Sequence, residues 1–91
     1  MLSKKQIKDY KREAHHLRAE LNIGKDGASG AFLRSVEEAF NTKELLKVKI
    51  LDNCSDELDS IITELKTIDQ LELVQKIGRT LVLYKPLKDQ G

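Results

Sequence analysis

This chain is poor in the residues that staple, kink or stack. Its single cysteine, Cys54, rules out an internal disulfide and fits a reducing, intracellular setting. Tryptophan is absent, and Tyr10, Phe32, Phe40 and Tyr84 are the only aromatics. The core must therefore come from Leu, Ile and Val, and few rings are available to stack on unpaired bases. The one proline, Pro86, falls near the end, where it stops the last extended segment. No apolar run is long enough for a bilayer, and Met1-Leu2-Ser3-Lys4-Lys5 lacks the apolar stretch of a signal peptide. These absences point to a cytoplasmic protein with no membrane partner.

What remains is 91 residues, 40% hydrophobic and 34% charged, enough for one domain and no second core. We expect a core over about residues 3–86 and a short polar tail. The net charge of +1 conceals a strong segregation. Residues 1–25 carry seven basic side chains against three acidic, residues 52–72 carry seven acidic side chains and only Lys66, and Lys76, Arg79, Lys85 and Lys88 follow. Such a chain can present one basic face to a polyanion, or simply a well-solvated surface whose charged regions partly neutralise each other.

Periodicity gives the element order. Ser3 and Gln6 have capping-box spacing, with Leu2 and Ile7 at the staple positions. Ile7, Tyr10, Ala14, Leu17 and Leu21 then form a helical stripe, with Lys4, Lys5, Lys8, Lys11 and Arg12 off it. Leu21-Asn22-Ile23 also alternates, as a short strand would. Ser29 is placed to cap a second helix with Phe32, Val36, Ala39 and Phe40 inward. Leu46, Val48 and Ile50 alternate with Lys47 and Lys49 as a strand with one apolar face. Ser55 is expected to cap a third helix, with Asp56 and Glu57 in its first turn and Leu58, Ile61, Ile62, Leu65 and Ile68 inward. Leu71–Ile77 and Thr80–Tyr84 flank Gly78-Arg79 as a hairpin. The fold expected is α/β, a single domain in the order α-β-α-β-α-β-β, with a small four-stranded mixed sheet and crossover connections.

Little here resembles an active site. Cys54 stands among Asp52, Asp56 and Glu57, which disfavour a thiolate. His15 and His16 are consecutive on a helix and so cannot share a face; one is expected at the core edge and the other in solvent. Neither they nor Cys54 have zinc-site spacing, and both G-x-x-x-x-G-K-[ST] and G-x-G-x-x-G are missing. We expect no enzyme activity, no metal and no cofactor. Gly24-Lys25-Asp26-Gly27 is more promising. A turn built for conformational reasons would look the same. However, this one leads into a helix at Ser29, whose dipole and free amides favour an anion, and Lys25 adds positive charge. Joined to the basic first helix and to Lys47, Lys49, Lys76, Arg79 and Lys85, it would form a surface that tracks phosphates. With so few aromatics, that surface suits structured RNA better than unpaired bases.

Ile23-Gly24-Lys25-Asp26-Gly27, Glu44-Leu45-Leu46-Lys47-Val48-Lys49-Ile50 and Ile77-Gly78-Arg79-Thr80-Leu81-Val82-Leu83-Tyr84-Lys85-Pro86 together resemble the CRM domain, named for chloroplast RNA splicing and ribosome maturation, in its stand-alone bacterial YhbY form. The resemblance spans nearly the whole chain. It implies a fold like the C-terminal domain of translation initiation factor three, RNA binding, and association with precursors of the large ribosomal subunit. It also implies a G-x-x-G loop comparable to that of KH domains, which clamps a nucleic-acid backbone. Carried over, loop contacts fall on Gly24, Lys25, Asp26 and Gly27, with support from Lys4, Lys5, Lys8, Lys11 and Arg12. Further contacts would come from Lys47, Lys49, Lys76, Arg79 and Lys85. Asp26 departs from a frequent Asn, Ala19 from a frequent Pro and Lys85 from a frequent Arg. The expected partner is ribosomal RNA in a large-subunit precursor, bound by a monomer. The competing expectation is a protein-interaction module that docks its acidic third helix on a basic ribosomal protein or assembly factor.

Overall fold

In the computed structural model, which describes residues 2–87, the first helix begins as its capping box dictates. The Gln6 amide donates to the Ser3 hydroxyl at 3.1 Å, and the Ser3 amide donates to the Gln6 side chain at 2.9 Å. Two of the four amides left free at a helix start are thereby satisfied. Ser3→Ala should lower stability by about 1 kcal/mol. A urea titration would show this as a lower midpoint at unchanged slope.

This helix, α1, spans Lys4–Ala14, and the elements that follow are β1 (Leu21–Ile23), α2 (Gly30–Ala39), β2 (Leu45–Ile50), α3 (Leu58–Leu65), β3 (Glu72–Ile77) and β4 (Thr80–Tyr84). The order is the expected one. From residue 88 on, the polar tail lies outside the described residues. Among the described residues, no helix is long and apolar enough to cross a membrane.

The strands lie in the order β1-β2-β4-β3. β1 pairs parallel with β2, Leu21 opposite Val48 and Ile23 opposite Ile50, so α2 serves as their crossover. β4 is antiparallel to both β2 and β3. The connection through α3 therefore leaves a one-strand gap, which the hairpin's return strand fills. Gly78, at φ +56°, opens the two-residue hairpin turn, at the place where a II′ turn takes glycine.

Each face of the sheet has its own core. Ile23, Leu46, Val48, Ile50, Leu81 and Leu83 pack with Val36 and Phe40 of the α2 segment and with Ile61 and Leu65 of α3. On the other face, Leu45, Val74 and Val82 meet Ala14, with Ile7, Tyr10 and Leu17 packed around them. α1 thus covers a second apolar patch, which the alternation of β2 alone did not reveal. The Tyr10 and Tyr84 rings sit 4.9 Å apart on this face. Burial, then the nearby Tyr84, Glu44 and Glu13, raise the Tyr10 pKa above its ordinary value. The phenol therefore stays neutral at physiological pH.

Two local expectations need correction, and one open alternative is decided. Of the two readings of Leu21, the strand holds: α1 ends at Ala14 and Leu21 opens β1. His15 and His16 are both exposed; the helix stops before either can reach the core edge. Helix α3 starts at Leu58 with Glu57 at the cap position and no side-chain cap bond, because Ser55 is engaged elsewhere.

Candidate nucleic-acid interface

The Gly24–Gly27 loop is a tight turn, closed by a 3.0 Å bond from the Gly27 amide to the Gly24 carbonyl. It carries Lys25 and Asp26 to the surface, while Gly27 is buried at φ +63°. The segment after β2 runs alongside. The Leu51 amide donates to the Ile23 carbonyl at 2.8 Å, the Ser55 hydroxyl donates to the Lys25 carbonyl at 3.2 Å, and the Asp56 carboxylate accepts the Ala28 amide at 3.0 Å. Ser29 caps α2 as expected, accepting the Phe32 amide at 3.2 Å. Three of the amides expected to face an anion, those of Gly27, Ala28 and Phe32, are thus satisfied within the protein. A groove of about 310 Å³ lies between this loop, Leu21 and Asn22 of the edge strand, and Ser29, Phe32 and Ser35 of α2.

Helix α1 lies across the opposite sheet face. Its start reaches the far end of β3 and β4, where Leu2 and Gln6 share a cleft with Glu72, Tyr84 and Pro86. Its end lies at β2, where the Lys47 ammonium donates to the carbonyls of Ala14 (3.3 Å) and Leu17 (3.4 Å). At about 100° per residue, Gln6, Asp9 and Glu13 fall on one flank and Lys4, Lys8, Lys11 and His15 on the other. Gln6 and Glu13 both line clefts at the Leu45–Tyr84 end of the sheet. The basic flank therefore faces the end that carries the Gly24–Gly27 loop. Arg12 and Lys5 point away from the sheet, and all five basic side chains are exposed. Between that flank and the loop end, Lys49 stands exposed on the same face, paired across strands with Thr80 and Asn22.

The other basic residues divide. Arg79 sits in the hairpin turn beside the loop, donating to the carbonyls of Ile50 (3.3 Å) and Leu51 (3.1 Å), with Asp52 at 3.8 Å. Lys76 is exposed on the far edge strand and, opposite Leu81, belongs to the α2–α3 side. Lys47 is half-buried as the C-terminal cap of α1, where a cation belongs. Lys85 is buried at the end of the sheet remote from the loop, in a cavity of about 320 Å³ lined by Arg34, Glu37, Glu38 and Asp69 among others. Neither Lys47 nor Lys85 is placed beside the loop with a free ammonium. The sequence reading missed Ser55 and Asp56 as loop supports. They lie 28 to 30 residues from the groups they bind, and no local pattern announces such a pairing. Among the described residues, no three His, Cys, Asp or Glu side chains are grouped to hold a metal ion.

A family model for the CRS1/YhbY (CRM) domain matches residues 2–85. The chain belongs to this family. As a CRM domain it is 36% identical over 89 residues to the Bacillus subtilis protein named "Probable RNA-binding protein YqeI", covering 98% of this chain and 93% of that one. It is 35% identical to a Haemophilus influenzae protein named RNA-binding protein, covering 97% and 89% of the two chains. The solution structure of a hypothetical Staphylococcus aureus protein, put forward as RNA binding, superposes with a TM-score of 0.78 at 30% identity, over 100% of this chain and 95% of that one. The α/β fold of this CRM domain is thus that of a solved relative. These relatives are named for RNA binding, and none of them for an enzymatic reaction.

Proposed function

We propose that this CRM domain is a non-catalytic RNA-binding protein that engages ribosomal RNA in precursors of the large subunit. RNA as the partner class is supported by the family and by the relatives' names. The ribosomal assignment rests on the resemblance noted from the sequence. One observation carries the mode of binding: the basic flank of α1, exposed Lys49 and the Lys25 turn all lie toward the same end of the sheet, over a polar floor of Asn22 and Thr80. Phosphates can follow that line from Lys4, Lys8 and Lys11, past Lys49, to Lys25, with Arg79 beside the last step. No exposed ring interrupts the floor, so contact is with backbone and shape, as on a structured RNA.

Lys25→Glu tests the loop end of this path. Affinity for a protein-free ribosomal RNA fragment should fall about five-fold, with a shallower dependence of log K on log salt, and by a similar factor for fragments of different sequence. Fluorescence anisotropy at several salt concentrations measures both. Unchanged affinity and slope for the folded variant would remove Lys25 from the interface. Absence of salt-dependent binding by the wild-type chain would favour the protein-docking alternative through α3.

A further inference from the structure

The loop is gripped by a carboxylate, which a phosphate-binding turn does not require. Asp56 Oδ2 accepts the Ala28 amide at 3.0 Å, and Ser55 Oγ donates to the Lys25 carbonyl at 3.2 Å. The two residues thus hold the turn at both of its ends. Gly27 shows how closely the carboxylate approaches: a Cβ there would lie 2.1 Å from Asp56 Oδ2 and 2.4 Å from Cγ. The position is also at φ +63°, which L side chains rarely adopt. The space that glycine leaves open is therefore filled by the protein itself.

Asp56 works from one side only. The groove that opens along Lys25, Ser29 and Phe32 does not include it. Asp56 lines a separate cleft with Leu58, Gly78 and Arg79, at the sheet end. Lys25 and Asp26, at the tip of the turn, are exposed and line that groove. We propose that Asp56 is a positioning residue for RNA binding: it holds the Gly24–Gly27 turn from behind so that Lys25 meets phosphate in a fixed place. On this account Gly27 is glycine to admit the Asp56 carboxylate, not to admit RNA.

The inference rests on the RNA-binding reading above, and its test separates the two. Asp56→Asn keeps a carbonyl oxygen for the Ala28 amide; Asp56→Ala keeps none. Both remove the same charge, so their difference isolates positioning from electrostatics. With a labelled protein-free ribosomal RNA fragment as probe, Asp56→Ala should bind about five-fold more weakly than Asp56→Asn. Its Ala28 amide should exchange with solvent about ten-fold faster than in Asp56→Asn, measured where both variants are fully folded. Asp56→Asn should bind at least as tightly as wild type. Equal RNA affinity of the two variants overturns the proposal. If Asp56→Ala does not fold, the wild-type chain decides: the Asp56 carboxyl carbon resonance should stay in place as RNA is added, and a shift showing the carboxylate displaced from Ala28 would overturn it. Should Lys25→Glu leave affinity unchanged, the RNA reading of the loop fails, while Ala28 exchange still reports the grip.

Discussion

Replacing Lys4, Lys8 and Lys11 together by alanine should weaken binding to a ribosomal RNA fragment by about 30- to 100-fold near 0.15 M salt. The three lysines occupy the one flank of α1 that faces the loop end of the sheet, beside exposed Lys49. Each is a flexible, solvated cation, worth about three- to five-fold when it meets a phosphate. The sharper signature is ionic. If each lysine releases one counterion equivalent on binding, the slope of log K against log salt should fall by about two to three. Stability should hold or rise slightly, because alanine is the better helix former at exposed positions. Lys5→Ala, which points away from the sheet, should change the slope less. A triple variant with the wild-type slope would place RNA somewhere other than α1.

How much of this was legible in the sequence depends on the range of the interaction concerned. Ser3 with Gln6, Ser29 with Phe32, and Gly78 in its turn are contacts within three residues, and each is where spacing put it. The seven elements were legible for the same reason, since each carries its own period. Ser55 shows the limit. As a hydroxyl residue three positions before Leu58 it reads as a helix cap, but its partner is the Lys25 carbonyl, and α3 starts later without a side-chain cap. A local bond and a distant one compete for one hydroxyl, and the sequence displays only the local candidate.

The basic residues teach the same lesson. Seven cations before residue 26 announce a charged surface, but not which of the later lysines join it. Lys47 and Lys49 are two residues apart on one strand and point to the same face. Their fates differ because α1 ends above Lys47 and offers it two carbonyls, while Lys49 lies beyond the helix. Lys85, one residue past β4, is turned into a cavity with Glu37, Glu38 and Asp69. No periodicity distinguishes these three lysines; only the placement of α1 and α2 over the sheet does.

The two glycines of the loop should respond to alanine in opposite ways. At Gly27 the new Cβ would meet the Asp56 carboxylate at 2.1 Å, and φ is +63°. Left-handed backbone costs an L residue about 1–2 kcal/mol, and pushing Asp56 off the Ala28 amide removes a charge-assisted bond of about 1.5–3 kcal/mol. With partial relief from solvent at the displaced carboxylate, Gly27→Ala should destabilise the fold by about 2–4 kcal/mol, which chemical denaturation would measure. In an Asp56→Ala background the same change should be milder, since backbone strain alone remains, and the shortfall is the coupling between the two residues. At Gly24 a Cβ would lie 3.4 Å from Asn53 Oδ1 and 3.6 Å from Leu51 Cδ1, both side-chain atoms, and no positive φ is involved. Gly24→Ala should therefore shift stability by less than about 1 kcal/mol. If that variant still loses RNA affinity, Gly24 is the glycine kept small for the backbone of a ligand, and Gly27 the one kept small for the fold. Equal destabilisation by the two substitutions would contradict this division of roles.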